Sequence, residues 1–262
     1  MKHPLLKIEN ISLTYRGKNK NGVHALDNVN AEIYTGEFVS IIGPSGCGKT
    51  SLLSLISGIR KPSSGRIIYK DREVILPSRE RVIIFQNYVL FPWKTAIQNI
   101  EIVLKSRNFD KKKITSEAER YLKLVNLSKF KNMYPSKLSC GMQQRIGIAR
   151  ALAADPEILL LDEPFASLDP INRNLVQEEL LSMVRKLKKT MILVTHSIEE
   201  AVFLGDKILV MSNSPGKIIK KININFKKQN NILKFKEHNQ FVDIKNKIHE
   251  ILIREYEQKG KF

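Results

Sequence analysis

The sequence predicts an α/β fold built around a phosphate-binding loop, and three stretches carry that expectation. Gly43-Pro44-Ser45-Gly46-Cys47-Gly48-Lys49-Thr50 follows a short apolar run, Phe38 to Ile42, and precedes Ser51 to Ile59, where Leu52, Leu55, Ile56 and Ile59 recur at helical spacing. Ile158-Leu159-Leu160-Leu161 reads as a buried strand that ends in Asp162-Glu163-Pro164, so two carboxylates stand at the strand end where ligands bind in open α/β sheets. Thr95 to about Lys137 is helical in pattern and strongly basic, as an inserted helical subdomain would be.

The loop has the chemistry of a triphosphate cradle. Gly43 and Gly48 let the backbone turn tightly so that successive N–H groups face an anion, and the following helix adds its partial positive charge. In that pattern Lys49 reaches the β- and γ-phosphates and Thr50 offers a hydroxyl to Mg²⁺. Asp162 would hold Mg²⁺ through water and Glu163 would polarise the attacking water as general base; the alternative for both acids is ion pairing.

A chain of 262 residues makes one large α/β domain or a domain with a small appendage, and buries a sizeable core unaided. Its longest apolar runs, such as Ile158 to Leu161 and Met191 to Val194, fall far short of the roughly 20 residues that span a bilayer. Met1-Lys2-His3-Pro4 leads into an alternating segment without the apolar core of a signal peptide, so a cytosolic location is expected. Cys47 and Cys140 have no metal-ligand spacing, which argues against zinc. The excess of 44 Lys plus Arg over 26 Asp plus Glu, a net +18, suits a polyanion or an anionic leaflet, or reflects compositional bias.

Taken in order, Leu6, Ile8, Ile11, Leu13 and Tyr15 form an imperfect alternation expected as a strand, and Arg16 to Gly22 as its hairpin loop. Tyr15 at the strand end either packs or stacks on an adenine ring. Val29 to Ile33 and Arg66 to Tyr69 are further strands, with Pro62-Ser63-Ser64-Gly65 a turn before the second. Val82 to Phe85 is a strand ending at Gln86, whose amide either contacts Mg²⁺ or the attacking water, or is a solvated loop residue. Leu90-Phe91-Pro92-Trp93 is an apolar loop suited to docking or to covering its own core.

Ile114, Ala118, Tyr121, Leu122 and Val125 share one helical face, with Ser116 and Glu119 at capping-box spacing. Ser139 to Gln143 opens a helix through Ala154, and its N-terminus either binds an anion or is only capped by the serine. Met191 to Thr195 is a strand closed by His196, a γ-phosphate contact or a structural residue, and Ser197 to Glu200 starts a short helix. Ile208 to Met211 and Ile218 to Ile224 complete the strands around the turn Ser214-Pro215-Gly216. Phe241, Ile244, Ile248, Ile251 and Leu252 stripe a terminal helix.

The set of motifs resembles the ATP-binding subunit of ABC transporters, over nearly the whole chain to about Ile224. The aromatic Tyr15, the phosphate loop Gly43 to Thr50, Gln86 of the Q-loop and the signature Leu138-Ser139-Cys140-Gly141-Met142-Gln143-Gln144-Arg145 stand in the family's order. The Walker B pair Asp162-Glu163, the D-loop Ser167-Leu168-Asp169 and the switch His196 follow. Within the family, Leu90 to Lys94 and Ser214 to Ile218 are similar to the importer branch for nitrate, taurine and aliphatic sulfonates, which includes vitamin-precursor systems.

The resemblance implies a P-loop NTPase fold of the ABC ATPase type with an antiparallel β subdomain and an inserted helical subdomain. The nucleotide-binding domain would span 1–225, with the helical subdomain at about 87–154, and 226–262 would be a C-terminal basic helical extension. It implies ATP and Mg²⁺, with Glu163, His196 and Lys49 catalytic. Tyr15, residues 43–51 (Gly43 to Ser51), Gln86, Ser139, Gly141 and Asp169 would bind nucleotide, and Thr50, Gln86 and Asp162 would serve the metal. The expected assembly is a head-to-tail dimer on the cytoplasmic face of the membrane, docked on permease subunits and served by an extracytoplasmic solute-binding protein, without nucleic acid. A soluble ABC-type ATPase acting on nucleic acid or ribosomes is the other class.

Two departures stand out. Cys140 occupies a position where the family usually has glycine, and if that position required φ > 0 the strain would be about 1 kcal/mol or more. Ser197 stands where Asp is common, with little effect expected because serine also caps helices. Cys47 and Cys140, both at helix N-termini that favour thiolate, would flank one nucleotide in such a dimer.

Overall fold

The computed structural model describes residues 3–15, 22–86, 89–226 and 232–259, in two compact units, Met1–Ser78 with Thr190–Phe262 and Arg79–Lys189. The expected hairpin loop therefore falls, except for Gly22, outside the described residues.

In the first unit, β1 (Leu6–Tyr15) buries Leu6, Ile8, Ile11 and Leu13 and lies antiparallel between β2 (Val23–Ile33) and β4 (Ser64–Tyr69), with β5 (Arg72–Glu73) beyond. The alternation is imperfect because the register shifts against both neighbours around Asn10, whose φ is 51°. Ser64 and Gly65, expected in a turn, open β4 instead. Gly65 has φ +79° and its Cα lies so close to Asn10 that an added Cβ would be 2.2 Å from that carbonyl oxygen.

The phosphate loop belongs to a second sheet of this unit. Here β3 (Phe38–Ile42) runs parallel to β8 (Thr190–Thr195) and β9 (Lys207–Met211), and β10 (Ile218–Asn223) is antiparallel to β9. All residues of β3 and β8 are buried, which explains why they read as continuous apolar runs rather than alternations. Helix α1 (Lys49–Ser57) starts two residues before the expected span and stops at Gly58, whose left-handed backbone (φ 83°) leaves Ile59 exposed beyond the helix.

The same unit carries α6 (Ile198–Leu204), α7 (Ile232–Lys236) and α8 (Asn239–Lys259). Phe241, Ile248 and Leu252 of the terminal stripe are buried. Phe235 is 1% exposed, with its ring centroid 5.4 Å from Phe203, 5.3 Å from Phe226 and 5.4 Å from Phe241. Phe235→Ala is expected to cost about 3–5 kcal/mol of unfolding free energy in a urea titration, the usual range for a phenylalanine deleted from a packed core. Glu199 of α6 pairs with Lys236 (2.6 Å) and Lys245 (3.1 Å). The hydrogen bond from Lys236 holds that carboxyl below its ordinary range, so this support persists at neutral pH and is lost only as pH falls through the lowered value.

In the second unit, β6 (Arg81–Ile84) and β7 (Ile158–Asp162) are parallel neighbours. Helices α2 (Ala96–Leu104), α3 (Lys111–Leu124), α4 (Cys140–Ala153) and α5 (Pro170–Leu187) accompany them. The expected face of α3 is buried at Ile114, Ala118, Tyr121 and Leu122. Its cap is not Ser116 but Asp110, which accepts a hydrogen bond from Lys113 N at 2.7 Å; Ser116 lies inside the helix and donates to the Lys113 carbonyl. The full capping box is at Thr95 and Gln98, on α2. Among the described residues no helix is long and apolar enough to cross a membrane.

Candidate nucleotide-binding site

In the first unit, strand register brings candidate residues to one end of the sheet. Ile42 pairs with Thr195 of β8 and Val210 of β9, so Gly43 and His196 each follow a paired residue at the same end of neighbouring strands. His196 is exposed there. Gly46 (φ +80°) and Gly48 (φ +97°) give the loop its left-handed turns, and a Cβ on Gly48 would lie 2.8 Å from the Ala25 carbonyl oxygen. Pro44 is buried, Ser45, Gly46 and Thr50 are exposed, and Ser51 is half-buried in the first turn of α1. Lys49, 6% exposed, donates from Nζ to the carbonyls of Gly43 (2.9 Å) and Pro44 (2.8 Å), so its ammonium lies within the loop. Tyr15 Oη and Ser51 Oγ are 2.8 Å apart, which ties the strand-end aromatic to the same helix turn.

Gly216, which the sequence shows only as part of a turn, supports this loop from behind. Its N–H donates to the Ala25 carbonyl at 2.9 Å, and a Cβ there would be 2.0 Å from the Cys47 carbonyl oxygen. Gly216→Ala is therefore expected to displace the loop, weakening ATP binding by about 5- to 150-fold, the consequence of an overpacking strain of about 1–3 kcal/mol. Isothermal titration of the variant against the wild-type chain checks it.

In the second unit, Ile84 of β6 pairs with Leu161 of β7, so Gln86 and Glu163 lie two residues past paired positions, at the same end of adjacent parallel strands. Asp162 is buried, Gln86 is exposed, and Glu163 is half-buried with φ 46°, a left-handed conformation uncommon for a residue with a Cβ and recurrent at functional sites. The signature helix is fastened to the same segment. Gln144, fully buried, donates from Nε2 to the Pro164 carbonyl at 2.7 Å, and a Cβ on Gly141 would be 3.8 Å from Leu168 Cδ2. Gln144 was visible in the signature but nothing in its spacing indicated this role.

Ser139 caps α4 by accepting from Met142 N at 3.3 Å. Asp169 caps α5, accepting from Asn172 N (3.1 Å) and Asn172 Nδ2 (2.6 Å), and the Asn172 side chain holds its carboxyl below the ordinary range. Helix α5 itself was missed, although Asp169 as N-cap and Pro170 at the first helical position are its start signal.

The two cysteines differ from each other. Cys140 is the first residue of α4 and is not among the positive-φ residues, so its Cβ costs the backbone nothing. Cys47 is 1% exposed, and burial pushes its thiol up despite the nearby Lys49 ammonium, so the helix N-terminus does not make it a thiolate. Iodoacetamide at pH 8 is expected to label exposed Cys140 first and Cys47 only after unfolding, as peptide mapping by mass spectrometry would show.

A left-handed glycine loop between a buried parallel strand and a helix, with the helix's first lysine folded into it, defines a P-loop nucleotide-binding protein. The chain belongs to the ABC transporter family, whose model matches residues 26–166. It is 40% identical over 252 residues to the taurine import ATP-binding protein TauB of Rhizobium johnstonii, covering 95% of this chain and 96% of that protein. It is 44% identical over 235 residues to the uncharacterized ABC transporter ATP-binding protein MJ0412 of Methanocaldococcus jannaschii, covering 89% and 88%. Its fold matches the dimeric post-hydrolysis ATP-binding cassette MJ0796 bound to ADP and Pi, with TM-score 0.75 and 31% identity over 85% of this chain and 100% of that one. The chain is accordingly an ATP-binding cassette of the ABC ATPase fold, with ATP hydrolysis as its activity.

Proposed function

We propose that this chain is the ATP-hydrolysing subunit of an ABC importer for a small solute of the taurine, sulfonate or nitrate kind, or a vitamin precursor. The observation that carries the reaction is the phosphate loop itself, with its left-handed Gly46 and Gly48 and with Lys49 buried, its ammonium held by the Gly43 and Pro44 carbonyls. The solute class rests on the likeness to taurine import ATP-binding proteins.

In this reading residues 43–51 bind the triphosphate, Tyr15 stacks on the base, and Lys49 stabilises charge on the β- and γ-phosphates. Glu163 takes a proton from the attacking water, and His196, one residue past the strand pair that also positions Gly43, contacts the γ-phosphate. Thr50, Gln86 and Asp162 are all oxygen donors, the hard set that suits Mg²⁺, which when bound would offset phosphate charge. Ser139, Gly141 and Asp169 serve the nucleotide of a second copy, head to tail, where the N–H groups at the start of α4 face the γ-phosphate.

Residues 1–225 act as the nucleotide-binding domain, with the helical subdomain at about 87–154 reaching the permease, and 226–262 form the C-terminal extension. The subunit works at the cytoplasmic face of the membrane, and the solute-binding protein meets only the permease. Affinity isolation from gently solubilised native membranes tests this. An integral permease retained through a high-salt wash is the expected result; ribosomes or nucleic acid without a permease would replace the reading, since such binding weakens steeply with salt.

A further inference from the structure

A tyrosine at the end of a strand turns freely about its side-chain torsions unless neighbours hold it, and Tyr15 is the last residue of β1. Two residues hold it, one at each end of α1. At the N-terminal end Ser51 Oγ lies 2.8 Å from Tyr15 Oη and fixes the tip of the ring. Just past the C-terminal end, Arg60 places its guanidinium carbon 4.6 Å from the ring centroid, over one face. Arg60 is itself anchored by its backbone N–H, which donates to the Ser54 carbonyl at 3.2 Å. The planar guanidinium stacks on an aromatic face as a compact ammonium does not.

We propose that Arg60 is a positioning residue for nucleotide binding, holding the Tyr15 ring by one face so that the other is presented to the base. The role presupposes that Tyr15 is the base platform. Because Ser51 lies in the helix whose N-terminus closes the phosphate loop, and Arg60 follows the end of that helix and is tied back to it through the Ser54 carbonyl, platform and cradle are fastened to one element and the spacing between base and triphosphate is set in advance. A platform of this kind reads the π-face of the base and not its edge, so it favours purine nucleotides without separating ATP from GTP.

Steady-state hydrolysis of ATP and of GTP, with inorganic triphosphate as a competing inhibitor that has no base, separates the possibilities. Arg60→Ala is expected to raise KM for both nucleotides about two- to fivefold, the range of an exposed cation–π contact, with kcat and the triphosphate inhibition constant unchanged. Tyr15→Ala is expected to raise both KM values about fivefold or more, again without moving triphosphate. If Arg60→Ala leaves KM unmoved while Tyr15→Ala raises it, Arg60 has no such role and the platform stands. If Tyr15→Ala leaves KM unmoved, the platform reading fails and the proposal with it. A triphosphate inhibition constant that rises in step with KM in Arg60→Ala would overturn the proposal by showing that the arginine acts on the phosphate loop.

Discussion

Glu163→Gln is expected to bind ATP with the affinity of the wild-type chain and to hydrolyse it about 10²–10⁴-fold more slowly, the usual contribution of a positioned general base. The substitution keeps the shape and most of the hydrogen bonding of the side chain but removes the proton acceptor. The left-handed φ of 46° at this position is a property of the backbone that glutamine tolerates as well as glutamate, so the fold should not change. Measured by phosphate release under single-turnover conditions, undiminished hydrolysis would remove Glu163 as the base.

Lys49→Ala is expected to weaken ATP binding by about 10- to 100-fold, because a hydrogen bond to a charged group contributes about 1.5–3 kcal/mol. The residue is 6% exposed, and its ammonium is held between the Gly43 and Pro44 carbonyls, so the charge is already in place when phosphate arrives. A fluorescent nucleotide titration against the wild-type chain gives the ratio. The loss should appear for ADP as well as ATP, since the β-phosphate is common to both.

Much of the sheet and the placement of the candidate site residues at strand and helix ends was legible because each depends on a short stretch of chain. Phe38 to Ile42, Ile158 to Leu161 and Met191 to Thr195 read as apolar runs because every residue of those strands is buried, and the proposed site residues Gly43, Asp162, Glu163 and His196 stand at their ends. Ser139 as a cap and the stripe of α8 follow from the same local rules. Features that depend on distant partners were not legible. Gly216 matters through the Cys47 carbonyl, 169 positions away in sequence terms that no pattern encodes, and Gln144 through the Pro164 carbonyl. Cys47 stays a thiol despite its place beside a helix N-terminus, because desolvation outweighs the neighbouring positive charge in a side chain that is almost wholly buried.

The most direct test of an ATP site completed by a second copy is sedimentation velocity of the full chain carrying Glu163→Gln, with and without Mg-ATP. The account predicts a monomer that becomes a dimer when ATP is added, and a return to monomer when Lys49→Ala is combined with it. A Glu163→Gln chain that binds ATP and sediments as a monomer at every protein concentration would contradict it.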